Sequence, residues 1–116
     1  MSLTSYEIKG MTKRALVNKY RVKSLLEYTH KDKPILSKVL EKNYGLNGTE
    51  IRAIIHELRM EGCPIASGGT GYYWAKSYDE IEPTIEHITQ RIASLSMIKK
   101  ALETISKGFS NQRNLF

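Results

Sequence analysis

Between residues 34 and 74 the chain reads PILSKVLEKNYGLNGTEIRAIIHELRMEGCPIASGGTGYYW, a basic helical pattern cut by Gly45 and Gly62 and followed by an aromatic, glycine-rich stretch. Few folds accommodate two short helices that must each stop at a glycine and then a change to an extended period. Pro34 suits the first turn of a helix, where its missing N–H costs nothing. Ile35, Leu36, Val39 and Leu40 then share a face, and Tyr44-Gly45 closes the element with a residue free to take positive φ. Leu46 fills the turn. Asn47 or Thr49 caps the next helix, in which Ile51, Ile54, Ile55 and Leu58 recur at i, i+3, i+4 and i+7 until Gly62. Residues 64–67 and 72–75 are short β-favouring runs on either side of Gly68-Gly69-Thr70-Gly71, the pattern of a hairpin.

Helix, tight turn, helix and hairpin, in that order, predict a mainly α chain: a winged helix-turn-helix with a short β-hairpin wing and a long C-terminal helix. The second helix of such a module commonly enters the DNA major groove, which makes duplex DNA the first partner to consider. With the apolar stripe facing inward, Thr49, Ala53, His56 and Met60 face outward with Arg52 beside them. Arg52 has the geometry to bond guanine bidentately, Thr49 and His56 to reach phosphate or base edges, and Ala53 to allow close approach. Asn47 at the helix start and Ser67 and Thr70 around the wing turn complete the candidate DNA-binding set. Glu50 and Glu57 flank this surface and argue against a sequence-blind electrostatic reader. Tyr72, Tyr73 and Trp74 are either stacking platforms or core residues, and alternation favours core packing, foremost for Tyr73.

The remaining chain divides around this motif. Residues 1–11 read as a flexible basic lead-in, 12–76 as the winged domain, 77–107 as a long helix and 108–116 as a tail. A helical pattern carrying Ala15, Leu16, Val22, Leu25, Leu26 and Tyr28 begins near Thr12 and ends before Pro34. The formal net charge is +6, and the first 23 residues hold Lys9, Lys13, Arg14, Lys19, Arg21 and Lys23 against Glu7. Lys13, Arg14 and Lys19 are therefore candidates to neutralise phosphates, the alternative being a solvated helix face. In the last helix Ile81, Ile85, Ile88, Ile92, Leu95, Ile98, Leu102 and Ile105 are spaced 4, 3, 4, 3, 3, 4 and 3, nearly a heptad seam with one slip after Leu95. Such a seam either folds over the core or joins two copies, so Ile85, Ile88, Ile92, Leu95, Ile98 and Leu102 are candidate dimerisation residues and a homodimer is expected.

Several classes are disfavoured. A chain of 116 residues holds one ordinary domain, Cys63 alone forms no internal disulfide, and no apolar run approaches the ~20 residues that span a bilayer. His30, His56 and His87 lie in different elements, so neither a metal site nor a catalytic constellation is expected, and no cofactor is called for. The glycines at 68, 69 and 71 match no nucleotide-binding fingerprint.

Residues 50–95 also resemble small winged-helix proteins of bacteriophages and prophages, the resemblance covering roughly residues 34 to 100. The shared features are Leu58-Arg59 at the helix end, Gly62-Cys63-Pro64-Ile65 leading into the wing, Gly71-Tyr72-Tyr73-Trp74 leaving it, and Asp79-Glu80-Ile81-Glu82 opening the last helix. The resemblance implies a DNA-binding protein of phage replication or transcriptional control in a bacterial cytoplasm, with no catalytic residue carried over. The alternative is a protein-interaction module that inhibits or recruits a host replication or defence protein.

Overall fold

The computed structural model describes residues 8–114, with side chains to residue 110. Residues 1–7 of the expected lead-in and the last two of the expected tail lie outside the described residues. The elements are α1 (Lys13–Leu26), α2 (Ser37–Tyr44), α3 (Gly48–Met60), β1 (Ile65–Gly68), β2 (Gly71–Trp74) and α4 (Tyr78–Asn114). The chain forms two units, the first ending at Glu82 and the second beginning at Pro83.

Each helix of the first unit starts and stops for a local reason. Thr12 caps α1 by accepting the Ala15 N–H at 3.2 Å. Gly45 ends α2 in the left-handed region, with φ +63°, and passes the chain through buried Leu46 into α3. Asn47, rather than Thr49, caps α3 in a reciprocal box: its side chain accepts the Glu50 N–H, and its own N–H donates to the Glu50 carboxylate, both at 2.9 Å.

The apolar faces of the three helices meet in one core. Val22 and Leu26 of α1, Leu40 of α2, and Ile51, Ile54, Ile55 and Leu58 of α3 are all buried, and Ile65 closes the cluster from β1. Burying one such side chain fully is worth about 1.5–3 kcal/mol before the entropy of ordering it is counted.

The hairpin pairs β1 and β2 antiparallel, with Ile65 opposite Trp74 and Gly68 opposite Gly71. Here the structure corrects the reading of Pro34 as a helix start. Residues 34–36 are extended, and Ile35 exchanges two backbone hydrogen bonds of 2.8 Å with Tyr72, adding a third short rung beside β2. Helix α2 begins only at Ser37. The preference of the hairpin edge for a backbone partner outweighs proline's tolerance for a helical first turn. The rung needs glycine at 71: its φ is +121°, and a Cβ there would lie 2.3 Å from the Ile35 carbonyl oxygen.

The aromatic assignment also changes. Tyr72 and Trp74 pack against the core, while Tyr73 lies on the other face and its hydroxyl donates to the Glu80 carbonyl at 3.0 Å. The Trp74 N–H is held by Thr29 Oγ1 at 2.9 Å.

Helix α4 runs 37 residues, about 55 Å at 1.5 Å per residue. It passes through Pro83 near its start and through Gly108, so residues 108–114, read from sequence as tail, are helical. A lone glycine costs about 1 kcal/mol in a helix interior and does not end one whose neighbours keep the pattern. Among the described residues no helix is long and apolar enough to cross a membrane.

Candidate functional site

The outer face of α3 presents Arg52, His56 and Met60, all exposed, at successive helical turns. The Arg52 guanidinium folds back along its own helix and donates to Thr49 Oγ1 at 3.1 Å. Asn47 is exposed, but its side chain is engaged in the α3 cap. The first half of this face differs from the expectation. Ala53, read as outward, is only 2% exposed: it lies between Glu50 and Glu57 on the side of α3 that meets α1, while residues 8–10 cross the start of the helix. Gly10 makes the crossing close: its φ is +92°, and a Cβ would lie 2.5 Å from the Thr49 carbonyl oxygen. The result is an open cleft of about 330 Å³, with Ile8 and Lys9 on one side and Thr49, Arg52 and His56 on the other, and Ala53 between them.

Two of the three bases assigned to phosphate contact have partners inside the unit. Arg14 donates through two nitrogens to the Glu50 carboxylate, at 2.7 and 2.8 Å, while Thr12 donates to the same group. Lys19 is 7% exposed; its ammonium sits 2.6 Å from Glu61 and 3.9 Å from Glu57, and over the Tyr20 ring. Lys19 is therefore a structural cation and Arg14 a paired one, since α1 packs its basic side against acids of α3 and the turn after it. Lys13 remains exposed.

The same pairing overturns the view of Glu50 and Glu57 as acids flanking the outer surface. Glu50 is 1% exposed, and Glu57 faces Lys19. The Arg14 hydrogen bonds hold the Glu50 carboxyl down at about 2 against the opposing effect of burial, with help from Thr12 and the Asn47 N–H. Burial alone would lower the Lys19 ammonium, but its hydrogen bond and charge contact with Glu61 more than offset this and raise it. Charge that would repel a polyanion has been turned inward.

At the hairpin, Ser67 lies within reach of Arg59, whose side chain donates to the Ser67 hydroxyl at 3.2 Å and to the Ile65 carbonyl at 2.9 Å. Arg59 thereby fixes β1 to the end of α3, and burial lowers its pKa. Thr70 is exposed in the turn. A smaller cleft of about 220 Å³ separates Leu36 and Ser37 at the start of α2 from Ser67, Gly69 and Tyr72 of the hairpin. Sequence reading missed Ile8 and Lys9 as walls of the larger cleft, Glu50 as a buried hub, and Arg59 as the tether of the hairpin. The spacing Asn47-x-x-Glu50 carried a signal for the second of these, the capping-box pattern.

The candidate dimerisation residues Ile85, Ile88, Ile92, Leu95, Ile98 and Leu102 are all exposed on α4. Among the described residues no group of three or more His, Cys, Asp or Glu side chains is arranged to hold a metal ion. No protein-family model, curated protein or solved structure matches the chain.

Proposed function

We propose that the first unit is a winged helix-turn-helix that binds duplex DNA, with α3 entering the major groove and the hairpin as its wing. The observation that carries this reading is the outer face of α3: Arg52 and His56 are exposed beside Lys9, while Glu50 and Glu57 on the same helix are turned toward α1. A helix about 10–12 Å across with its side chains fits a groove of similar width. Arg52 and His56 address base edges or phosphates, and Met60 offers an apolar contact. Lys9 and Lys13 neutralise phosphates, and Thr70 at the wing tip touches the backbone.

Binding of mixed-sequence duplex, measured across a salt series, tests the reading. A steep fall of affinity with salt is expected. Because its side chain is exposed, Arg52→Ala should lower affinity about tenfold or more without changing the unfolding temperature. Lys13→Ala should flatten the salt slope by about one unit. Absence of duplex binding at low salt would overturn the proposal. The setting that the phage and prophage resemblance implies, replication or transcriptional control in a bacterial cytoplasm, belongs to the same proposal.

A second reading has its own observation. Leu16, Val17 and Tyr20 on α1 and Tyr28 just beyond it are exposed apolar side chains, which suit a protein partner better than DNA. On that reading, a host replication or defence protein is gripped through α1. Val17→Glu then abolishes partner capture, and Arg52→Ala leaves it intact.

A further inference from the structure

The apolar stripe of α4 has no cover within the described chain. Ile85, Ile88, Ile92, Leu95, Ile98, Leu102, Ile105 and Phe109 are each at least 40% exposed. Because the helix continues past residue 107, Phe109 joins the stripe, and a symmetry becomes legible. From Ile81 to Phe109 the intervals are 4, 3, 4, 3 and then 3, 4, 3, 4, the same read from either end. Leu95 stands at the centre, and Ile92 and Ile98, Ile88 and Leu102, and Ile85 and Ile105 lie at equal distances on its two sides.

We propose that α4 pairs with α4 of a second copy in antiparallel orientation, with the two-fold axis at Leu95. An isologous contact requires that if residue i meets residue j, then j meets i. Antiparallel helices crossing at Leu95 meet this condition at every layer: Leu95 against its own copy, Ile92 against Ile98, Ile88 against Leu102 and Ile85 against Ile105. The slip in the heptad, a step of 3 where 4 would keep the register, falls at that axis. There it overwinds the seam equally toward both ends of the pair.

Charge selects the same orientation. The half of α4 before Leu95 carries Asp79, Glu80, Glu82 and Glu86 against Arg91, whereas the half up to residue 110 carries Lys99, Lys100 and Lys107 against Glu103. Antiparallel pairing sets the acidic half of each copy along the basic half of the other. Parallel pairing sets acid against acid and base against base, which disfavours it. A helix from another protein would have no reason to match a stripe symmetric about its own centre, so a second copy is the occupant.

Sedimentation of the full chain over a concentration series should give a monomer–dimer equilibrium. Leu95→Glu, which sets two like charges face to face in the seam, should weaken dimerisation roughly a hundredfold or more. Because Leu95 is exposed in the single chain, the substitution leaves the first unit folded, as its unchanged circular dichroism and unfolding transition would register. Orientation is read from disulfides formed under mild oxidation. Chains carrying Ile85→Cys mixed with chains carrying Ile105→Cys should form the mixed disulfide, and Ile85→Cys chains alone should form none; buried Cys63 is common to all samples and controlled by the unsubstituted chain. A monomer at all concentrations, a larger oligomer, or ready cross-linking of Ile85→Cys to itself would each overturn the proposal.

Discussion

Glu50 keeps a full negative charge in a nearly solvent-free position because Arg14, Thr12 and the Asn47 amide all donate to it. Its carboxyl is lowered to about 2 from an ordinary 4.5, so the folded state binds its proton more weakly than the unfolded chain. The stabilisation is present above about pH 4.5 and is lost as pH falls toward 2. Glu61, held down by its hydrogen bond with Lys19, acts in the same direction. Thermal unfolding followed between pH 7 and pH 2 should therefore show a decline setting in below about pH 4.5, and Glu50→Gln should show a shallower one. Glu50→Ala at pH 7 should lower the unfolding temperature by about 5–10 °C, since it removes a helix cap and a buried acceptor together.

At the scale of elements, the hairpin depends on the approach of residues 34–36 to β2. Gly71→Ala forces a Cβ into the Ile35 carbonyl and demands an unfavourable φ, so it should break the Ile35–Tyr72 rung. Hydrogen exchange at the Ile35 and Tyr72 amides should accelerate by roughly tenfold or more, while the Ile54 and Ile55 amides in α3 keep most of their protection. The elements themselves were largely legible in the sequence. Gly45 and Gly62 fall just beyond α2 and α3, the apolar spacing from Ile51 to Leu58 marks the buried face, and Gly68-Gly69-Thr70-Gly71 spans the hairpin turn. Residues 34–36 were not legible, because proline fits a helix start and an extended edge equally well and only the distant Tyr72 decides between them.

For the whole molecule, the buried hydrophobic cluster is drawn from residues 15–65, with Met11, Tyr72 and Trp74 packed against it, all within the first unit. A chain ending at Gln90 should accordingly keep the denaturation midpoint of the first unit within about 10%, measured by tryptophan fluorescence of Trp74 while losing the ability to pair. The candidate site was less legible than the fold. The periodicity of α3 assigns an outer face, and Arg52, His56 and Met60 are on it. Periodicity cannot reveal that Gly10 will bring another segment against Thr49 at the start of α3, or that Lys19 will find Glu57 and Glu61 some forty residues away. Such pairings are properties of tertiary packing, and a helix-wheel argument treats each helix as if it were alone.

Two helices that begin 35 residues apart in sequence, at Lys13 and Gly48, share one carboxylate at their first turns: Glu50 serves as acceptor for the Thr12 cap of α1 and as the reciprocal cap of α3. Neither end can fray while the other stays closed without stranding a charge. The two starts are therefore coupled through one charge, and a loss of order at the beginning of α1 would be felt at the start of α3 without passing through the hydrophobic core.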